Sequence, residues 1–397
     1  MCGIVGIVNY RQNIEEESYI IKNMTNSISR RGPDEEGIFL SKHCNLGHRR
    51  LSIIDIENGK QPMSFTINDI TYTIVYNGQI YNTKELKEIL IDNGFKFKGH
   101  SDTEILLKSY IFYGKDVCKH LNGIFAFAIW NSKKEELFIA RDHFGIKPLY
   151  YIIEDNNLVF ASEVKSLFCH PNIKPKLDKT GISELFGIGP SHTPGRTPFL
   201  GINELEPAHL IIYNKNCFKN EEYWKIKTKK HNDNLETTCD NIRFLLKDSI
   251  ERQLVSDVPI CCLLSGGLDS SIITAYASKY YKEKYGEKLS TFSVDYVDND
   301  KNFVKSDFQP NSDNYYIDLM VKEFDTDHHK IVLDTPELYN ALEDAMISRD
   351  FPGMADVDSS YLLFFKEVKK YAKVTLSGEC SDEIFRTVIH GIFEKIV

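Results

Sequence analysis

The chain is 397 residues long, which is too much for one ordinary hydrophobic core and predicts two or three domains. Its formal charge of −9 argues against a nucleic-acid partner, and the absence of any run of roughly 18 apolar residues argues against a membrane-spanning helix. The nine cysteines lack CxxC spacing, which predicts reduced thiols in a cytoplasmic protein. The start of the chain lacks a basic segment, which predicts that there is no signal peptide.

Residues 1–225 contain short β-branched and aromatic runs separated by turn residues, a pattern typical of strands. The predicted strands cover 3–8, 72–77, 124–130, 137–140, 149–153 and 158–162. Two amphipathic helices interrupt them: Thr83 is the predicted cap of the first, Gly94 closes it, and Asp102 begins the second. Strands packed in two sheets with helices outside form an α+β layered sandwich.

The second half begins after a polar stretch, 226–237, which predicts a linker. Beyond it the predicted helices cover 240–254, 270–285, 313–324, 336–349 and 357–371, and the predicted strands cover 258–264, 290–296, 329–334 and 373–377. This alternation implies an α/β doubly wound parallel sheet that binds ligands at the carboxyl ends of its strands. The predicted domains are 2–220 and 238–397, joined by a linker at 221–237.

Cys2 directly follows Met1, so removal of the methionine gives a first residue with both a thiol and a free α-amine. These groups titrate near pKa ~8.5 and ~8 when unperturbed. The amine can therefore take the thiol proton without a histidine, as a terminal threonine does with its own amine. The pattern indicates an N-terminal nucleophile, and the alternative is an accident of position.

A second motif, Ser-Gly-Gly-Leu-Asp-Ser-Ser at 265–271, lies between an apolar strand and a helix predicted to begin near Ser270. Two glycines let the backbone turn tightly enough to direct N–H groups at a phosphate, and the helix dipole favours an anion there. Asp269 is a candidate magnesium ligand. The motif is not a P-loop, because no GxxxxGK[ST] is present.

The ordered motifs resemble those of the glutamine-hydrolysing asparagine synthetases, which are class II amidotransferases with an N-terminal nucleophile. The matching segments are MCGIVGI (1–7), RRGPDEEG (30–37), GHRRLSIID (47–55), YNGQIYN (76–82), SDTE (101–104), RDHFGIKPLYY (141–151), SGGLDSS (265–271) and LSGECSDE (376–383). The resemblance implies an N-terminal-nucleophile hydrolase-like αββα domain followed by an ATP-pyrophosphatase-like domain. It also implies that glutamine supplies ammonia, that Mg-ATP adenylates aspartate, and that ammonia displaces AMP to give asparagine.

For the first domain, the resemblance makes Cys2 the nucleophile that attacks the glutamine amide, while Asn77 and Gly78 form the oxyanion hole. By the same resemblance Arg50 binds the α-carboxylate and Asp102 pairs with the α-ammonium. The complete implied glutamine-binding set is Arg50, Leu51, Ser52, Ile53, Ile54, Asn77, Gly78, Gln79 and Asp102.

These residues also have plainer structural interpretations. Asn77-Gly78 is a strong hairpin-turn dipeptide, and such a turn is compatible with the oxyanion role. The alternative for Arg50 is a salt bridge at the surface, and the alternative for Asp102 is that it caps its helix. Gln79 stands where relatives often have glutamate, so its role in substrate binding is open. Arg30, Arg31 and Asp34 are expected to build a structural turn near the site rather than to contact substrate.

For the second domain, the resemblance makes Glu379 the base that takes a proton from attacking ammonia. The implied ATP-binding residues are Leu263, Ser265, Gly266, Gly267, Asp269, Ser270, Val294, Ser377 and Gly378. Asp269 and Asp382 are the implied magnesium ligands. The alternative for Glu379 and Asp382 is that they are acidic residues at a helix N-terminus.

After Phe385 the sequence departs from the family pattern of a glycine pair and aromatic residues, and the lysine that neutralises ATP phosphates is not assigned to any residue. The expectation is a synthetase half that is truncated or frame-shifted at its C-terminus. The main hypothesis is the complete asparagine synthetase reaction, and the alternative is a glutaminase with a non-functional second half. A relative that activates another carboxylate and a non-enzymatic remnant are further alternatives. The expected partners are the small-molecule substrates glutamine, aspartate and ATP, together with a second copy in a homodimer, and neither nucleic acid nor membrane.

Overall fold

The computed structural model describes residues 1–305, 312–381 and 384, and it divides into two compact units. The first unit contains 1–230 and a short later segment, 350–353, and the second contains the rest of the chain. None of the helices in these described ranges is long and apolar enough to cross a membrane.

The first unit is built from antiparallel strands. In chain order they are β1 (Gly3–Asn9), β2 (Glu35–Phe39), β3 (Cys44–Arg50), β4 (Met63–Ile67), β5 (Ile70–Ile80), β6 (Gly123–Asn131), β7 (Glu136–Arg141), β8 (Tyr150–Glu154), β9 (Asn157–Ala161), β10 (Asn203–Glu204), β11 (His209–Asn214) and β12 (Cys217–Glu222). They form two six-stranded sheets, ordered β10-β8-β9-β1-β3-β2 and β12-β11-β7-β6-β5-β4. The predicted strands of this half are therefore confirmed, and several further strands join them.

The described part of the first unit contains five α-helices. They are α1 (Ser18–Ser27), α2 (Thr83–Asp92), α3 (Asp102–Tyr113), α4 (Val164–Leu167) and α5 (Lys179–Gly187). Apolar residues of α1 pack on the first sheet, and those of α2 and α3 pack on the second. The inner faces of the sheets share one core, in which Leu46 and Phe160 meet Ile139. The αββα sandwich predicted from the sequence is confirmed.

Strand β1 lies inside this sandwich and carries the start of the chain. Ile4 and Val8 face the other sheet, whereas Val5 and Ile7 face the helix layer, and all four are almost fully buried. Burial of each such side chain contributes about 2 kcal/mol. The strand is consequently held on both faces, which fixes the position of the residue before it.

The second unit is a four-stranded parallel sheet with helices on both faces. Its strands are β13 (Ile260–Leu263), β14 (Ser290–Tyr296), β15 (Asp327–Leu333) and β16 (Val374–Leu376), in the order β15-β14-β13-β16. Its helices are α6 (Leu235–Gln253), α7 (Leu268–Tyr285), α8 (Asn299–Asn302), α9 (Asp313–Phe324), α10 (Thr335–Arg349) and α11 (Ala355–Val368).

Alternate residues of β13 show the two-sided packing. Ile260 and Cys262 contact the layer formed by α6 and α7, while Cys261 contacts α11. The doubly wound parallel arrangement is confirmed.

Several helix starts differ from the sequence prediction: α7, α10 and α11 begin one or two residues early, at Leu268, Thr335 and Ala355, and α2 and α6 differ as follows. Thr83 is the first residue of α2 rather than its cap, because Asn82 precedes the helix. Helix α6 begins at Leu235, five residues before the predicted start at 240, because the Asn234 side chain accepts a hydrogen bond from the Thr237 N–H at 2.9 Å.

Candidate active sites

Cys2 lies immediately before β1 and is partly buried. Its Sγ accepts a hydrogen bond from the Leu51 N–H at 3.3 Å, and its carbonyl oxygen accepts one from Arg31 Nε at 2.9 Å. Burial raises the pKa of the thiol, against the lowering effects of the Leu51 hydrogen bond, the terminal amine and Arg50. The thiol is therefore protonated at neutral pH and needs a base before it can attack.

The pKa of the Met1 α-amine shifts in the opposite direction, downward. Burial of the amine, together with the positive charges of Arg31 and Lys147, lowers its pKa to about 5, although Met1 as a whole is 53% exposed. The negative charges of Cys2 and Asp34 oppose this shift. The Met1 amine is therefore neutral at pH 7.

Arg50, the last residue of β3, organises the loop that follows it. Its guanidinium is 4% exposed and bonds Glu35 Oε2 at 2.8 Å, the Ile56 carbonyl at 2.8 Å and the Asp55 carbonyl at 2.7 Å. The salt bridge of the alternative interpretation is present, to Glu35, but Arg50 is buried rather than at the surface. The same loop is tied down where the Ser52 N–H donates to Asp34 Oδ2 at 2.8 Å. The predicted glutamine-binding residues 50–54 thus form one fixed turn around Cys2.

Asn77 and Gly78 lie inside β5, opposite Ala126 and Phe125 of β6. The prediction that they form a hairpin turn is wrong, because a long-range partner strand holds this backbone extended. Gly78 is required there, since a Cβ would lie 2.2 Å from the Ile124 carbonyl oxygen.

The side chain of Asn77 is 1% exposed, and its Nδ2 has no hydrogen-bond partner in the described part of the chain. Buried donors are nearly always satisfied, so this one requires an explanation. Gln79 lies on the same face of β5, two residues further on, and is half-buried.

Asp102 is 7% exposed and lies at the start of α3. Its Oδ2 accepts hydrogen bonds from Tyr76 Oη at 2.9 Å and from the Ile80 N–H at 3.3 Å. Burial raises the pKa of this carboxyl group, and these hydrogen bonds oppose the rise. The interpretation of Asp102 as a helix cap is wrong, because Ser101 caps α3 by accepting the Thr103 N–H. Asp102 is thus a carboxylate whose charge acts at the Cys2 thiol.

In the second unit, the predicted nucleotide loop connects β13 to α7. Ser265 and Ser270 close it through an Oγ–Oγ hydrogen bond of 3.0 Å, and Ser270 Oγ also accepts the Ser265 N–H at 3.2 Å. Gly266 has φ +81°, a conformation that favours glycine, and Gly267 precedes the first turn of α7. The helix N-terminus therefore opens directly from the loop, as phosphate binding requires.

A cavity of 690 Å³ lies at the carboxyl ends of the parallel strands. Its lining includes Leu263, Ser265, Gly267, Asp269, Ser270, Val294, Ser377, Gly378 and Glu379. The structure thus brings together every predicted ATP-binding residue except Gly266. Gly378 allows the two loops to meet, because a Cβ there would lie 3.0 Å from Asp269 Cβ.

Glu379 accepts a hydrogen bond from Tyr361 Oη in this cavity. Asp295, another lining residue, forms a salt bridge with Lys330 at 2.7 Å. Asp382 lies outside the described residues. Within the described ranges no three His, Cys, Asp or Glu side chains cluster in a way that would hold a metal.

Comparison with known proteins matches each unit to a family. Residues 1–224 match the family described as a glutamine amidotransferase domain, and residues 241–390 match the family described as asparagine synthase. Asparagine synthetase [glutamine-hydrolyzing] 3 of Bacillus subtilis is 48% identical over 385 residues, which is 97% of this chain. The chain belongs to the glutamine-hydrolysing asparagine synthetase family.

Other members of the asparagine synthetase family match over the same extent. Asparagine synthetase [glutamine-hydrolyzing] 1 of Bacillus subtilis is 36% identical, and a Methanocaldococcus jannaschii protein that bears the same family name is 32% identical, each over 97% of this chain. The chain spans 63% and 58% of the lengths of the two Bacillus proteins and 75% of the Methanocaldococcus protein.

Three residues near these synthetase-family sites were not assigned a role by the sequence. Tyr76 holds Asp102, Tyr361 holds Glu379, and Lys147 lies beside the start of the chain. Tyr76 and Lys147 both lie in the segments that carry the family resemblance, but nothing in the sequence places them next to their partners. Their roles follow only from contacts between distant parts of the chain.

Proposed function

We propose that this chain carries out glutamine-dependent asparagine synthesis, with amide hydrolysis in the first unit and aspartate adenylation in the second. The observation that carries the proposal is the buried, unpartnered Nδ2 of Asn77 in the unit whose central strand begins after Cys2. A donor that is buried without a partner is already desolvated and fixed. It suits an oxyanion that exists only during reaction.

The hydrolysis begins when Met1 has been removed and the α-amine of Cys2 takes the proton of its own thiol. The thiolate attacks the side-chain carbonyl carbon of glutamine, and Asn77 Nδ2 and the Gly78 N–H donate to the oxygen that becomes negative. Collapse of this intermediate breaks the C–N bond, and the nitrogen takes the proton held by the α-amine. Ammonia departs, and the acyl group remains on Cys2 as a thioester. Water then hydrolyses the thioester to glutamate and frees the thiol.

Binding of glutamine uses the fixed turn at 50–54 and the carboxylate of Asp102. Asp102 keeps one carboxylate oxygen oriented by Tyr76, and its negative charge complements the α-ammonium of the substrate. Arg50 supplies the positive charge for the α-carboxylate, and Gln79 offers a neutral amide on the same face as Asn77. Hydrogen bonds that Arg50 now makes to loop carbonyls are shared with that carboxylate when substrate binds.

The second reaction uses the cavity at the carboxyl ends of the parallel strands. The loop at 265–270 receives the pyrophosphate part of ATP, and Leu263, Val294, Ser377 and Gly378 surround the adenosine part. The β-carboxylate of aspartate attacks the α-phosphorus and pyrophosphate leaves; ammonia then displaces AMP, with Glu379 taking a proton from the attacking nitrogen. Asp269, in the same loop as two serine hydroxyls, would hold a magnesium ion that neutralises phosphate charge, and the second ligand implied by the resemblance, Asp382, lies outside the described residues.

Three further properties belong to the same proposal. We expect domain boundaries at 2–220 and 238–397 around a linker at 221–237, a cytoplasmic location and a homodimer. Sedimentation of the purified chain tests the homodimer, and limited proteolysis tests the linker.

The decisive experiment incubates the purified chain with glutamine, with and without aspartate and Mg-ATP, and measures glutamate, asparagine and pyrophosphate. All three products are expected with the full mixture, and the Cys2→Ala variant is expected to make asparagine only when ammonium is supplied. Glutamate without asparagine or pyrophosphate would favour a glutaminase with a non-functional second half. The absence of glutamate from the parent chain would contradict the proposal for the first unit.

A further inference from the structure

The loop between β3 and β4 carries a buried aspartate, Asp55, that no step of the proposed hydrolysis uses. Asp55 is 3% exposed and has φ +48°. Aspartate and asparagine are among the few residues besides glycine that adopt this left-handed conformation readily. A carboxylate is costly to bury unless it is hydrogen-bonded, so its partners show what it holds in place.

The backbone of Asp55 contacts the Arg50 side chain. The Asp55 carbonyl oxygen accepts hydrogen bonds from Arg50 Nη2 at 2.7 Å and from the Gly59 N–H at 2.8 Å. A Cβ at Gly59 would lie 2.3 Å from Arg50 Nη2 and 2.8 Å from this carbonyl oxygen, so glycine leaves the space in which the two groups meet. The position of the guanidinium therefore depends on where Asp55 holds the loop.

The side chain of Asp55 contacts the residues that lead into α3. Its Oδ2 accepts the His100 N–H at 2.7 Å and the Ser101 N–H at 3.1 Å. Ser101 caps α3, and Asp102 is the first residue of that helix. A Cβ at Gly99 would lie 2.0 Å from Asp55 Oδ2, so a second glycine makes room for the carboxylate. The position of Asp102 is thus tied to Asp55 through the residue directly before it.

The other carboxylate oxygen of Asp55 holds its own loop. Oδ1 accepts the Asn58 N–H at 3.1 Å and Asn58 Nδ2 at 3.0 Å. Each oxygen of this carboxylate is therefore engaged by donors from a different segment. An asparagine side chain has one acceptor oxygen, so at this position it satisfies the donors of one segment only.

We propose that Asp55 is a positioning residue that fixes the spacing between Arg50 and Asp102, and so makes the first unit select amides that carry both an α-carboxylate and an α-ammonium group. This inference rests on the proposed function of the first unit, in which Arg50 and Asp102 bind these two groups. Two binding groups reinforce each other fully only when their separation matches the ligand before it arrives. Asp55 acts through these two residues and takes no part in the chemical steps.

The test compares Asp55→Asn with the parent on glutamine and on glutaramate, the analogue of glutamine that lacks the α-amino group. Asparagine tolerates the backbone conformation of Asp55, and the contact with Arg50 is made by the backbone, so the change acts on the contacts of the carboxylate. We expect KM for glutamine to rise about tenfold with kcat within about threefold, because the substrate contacts are loosened and the oxyanion donors are not. Glutaramate uses Arg50 without Asp102, so its kcat/KM is expected to stay within about threefold of the parent value, and the preference for glutamine falls.

A second variant reaches the same contact from the other side. Gly99→Ala leaves Asp55 in place but puts a methyl group 2.0 Å from its Oδ2, and the same loss of preference for glutamine is expected. Asp69→Asn is the matched control, because Asp69 is an exposed aspartate with φ +60° in the turn between β4 and β5. It is expected to change neither constant. Thermal unfolding of each variant shows that it is folded.

A further measurement does not depend on hydrolysis. Calorimetric titration of glutamine and of glutaramate into Cys2→Ala, with and without Asp55→Asn, gives the dissociation constant of each ligand. A loss of affinity for glutamine that exceeds the loss for glutaramate supports the inference even if the parent forms no glutamate, in which case only the proposed function fails. Glutamate release by the parent, together with equal losses for both ligands or an unchanged KM for glutamine in folded Asp55→Asn, would overturn the inference alone.

Discussion

Asn77 shows how much of the proposed hydrolysis depends on one side chain. Replacing it with alanine removes the only side-chain donor assigned to the oxyanion, and such a donor contributes about 10²–10³ in rate. We expect Asn77→Ala to lower kcat for glutamate release by that factor while KM for glutamine stays within about threefold. Steady-state assays of glutamate release measure both constants.

The stability of the same variant separates a catalytic role from a structural one. Because Asn77 Nδ2 has no partner within the described residues, its removal breaks no hydrogen bond of that atom. The thermal unfolding midpoint of Asn77→Ala is expected to change little. A large loss of stability with kcat within tenfold of the parent would show that the amide serves packing instead.

At the scale of elements, β5 carries the two residues proposed for the oxyanion hole, and its pairing with β6 holds their backbone extended. Gly78→Ala places a methyl group against backbone, 2.2 Å from the Ile124 carbonyl oxygen and 2.8 Å from Phe125 Cα. Backbone gives way less readily than a side chain, so we expect a loss of about 2 kcal/mol in the free energy of unfolding. Urea denaturation of the variant and the parent measures it.

Gly187→Ala is the matched control for Gly78→Ala, because it adds the same methyl group at a glycine with open space around it. Nothing lies within 4 Å of the Cβ that this change adds in α5, and helices favour alanine over glycine. We expect Gly187→Ala to be neutral or slightly stabilising. Equal losses in both variants would mean that the contact at Gly78 does not limit the strand.

Strands β1 and β5 and helix α6 show which elements local sequence patterns predict and which they do not. The apolar run 3–8 predicted β1 correctly, because continuous β-branched residues are typical of a strand buried on both faces. Asn77-Gly78 was misread as a turn because the local dipeptide preference was overridden by pairing with Ala126 and Phe125, which lie far along the chain. The start of α6 was missed because its cap, Asn234, stands in a polar stretch that resembles a linker.

The candidate sites divide in a similar way. The loop at 265–271 was singled out from local order, because a strand–glycine–helix junction is a short-range feature, whereas the nucleophile role of Cys2 was predicted only once the ordered motifs along the whole chain were added to its terminal position. The position of Lys147 depends on a contact with Met1 across 146 residues, and local patterns carry no information about such contacts. Long-range placement is what the fold adds.

At the scale of the whole molecule, the two proposed reactions use separate hydrophobic cores. Clusters of buried residues in the first unit hold Cys2 and Asn77 in place, and different clusters hold the loop around Asp269. A change confined to the second site is therefore expected to leave the first reaction intact.

Asp269→Asn tests this independence. The change keeps the shape of the side chain but removes the carboxylate charge from the cavity, so we expect ATP-dependent pyrophosphate release to fall at least about tenfold. Glutamate release in the absence of ATP is expected to match that of the parent. Both products are measured in the same reaction mixtures.

Asp240→Asn is the control for this variant, because it removes an aspartate from an exposed ion pair with Arg243 on α6. An exposed pair of this kind contributes little to stability, so both activities are expected to remain. If Asp269→Asn lowers glutamate release as much as pyrophosphate release, the hydrolysis depends on the state of the nucleotide cavity. The two reactions are then coupled rather than independent, and the assignment of one reaction to each unit would have to be replaced by a shared one.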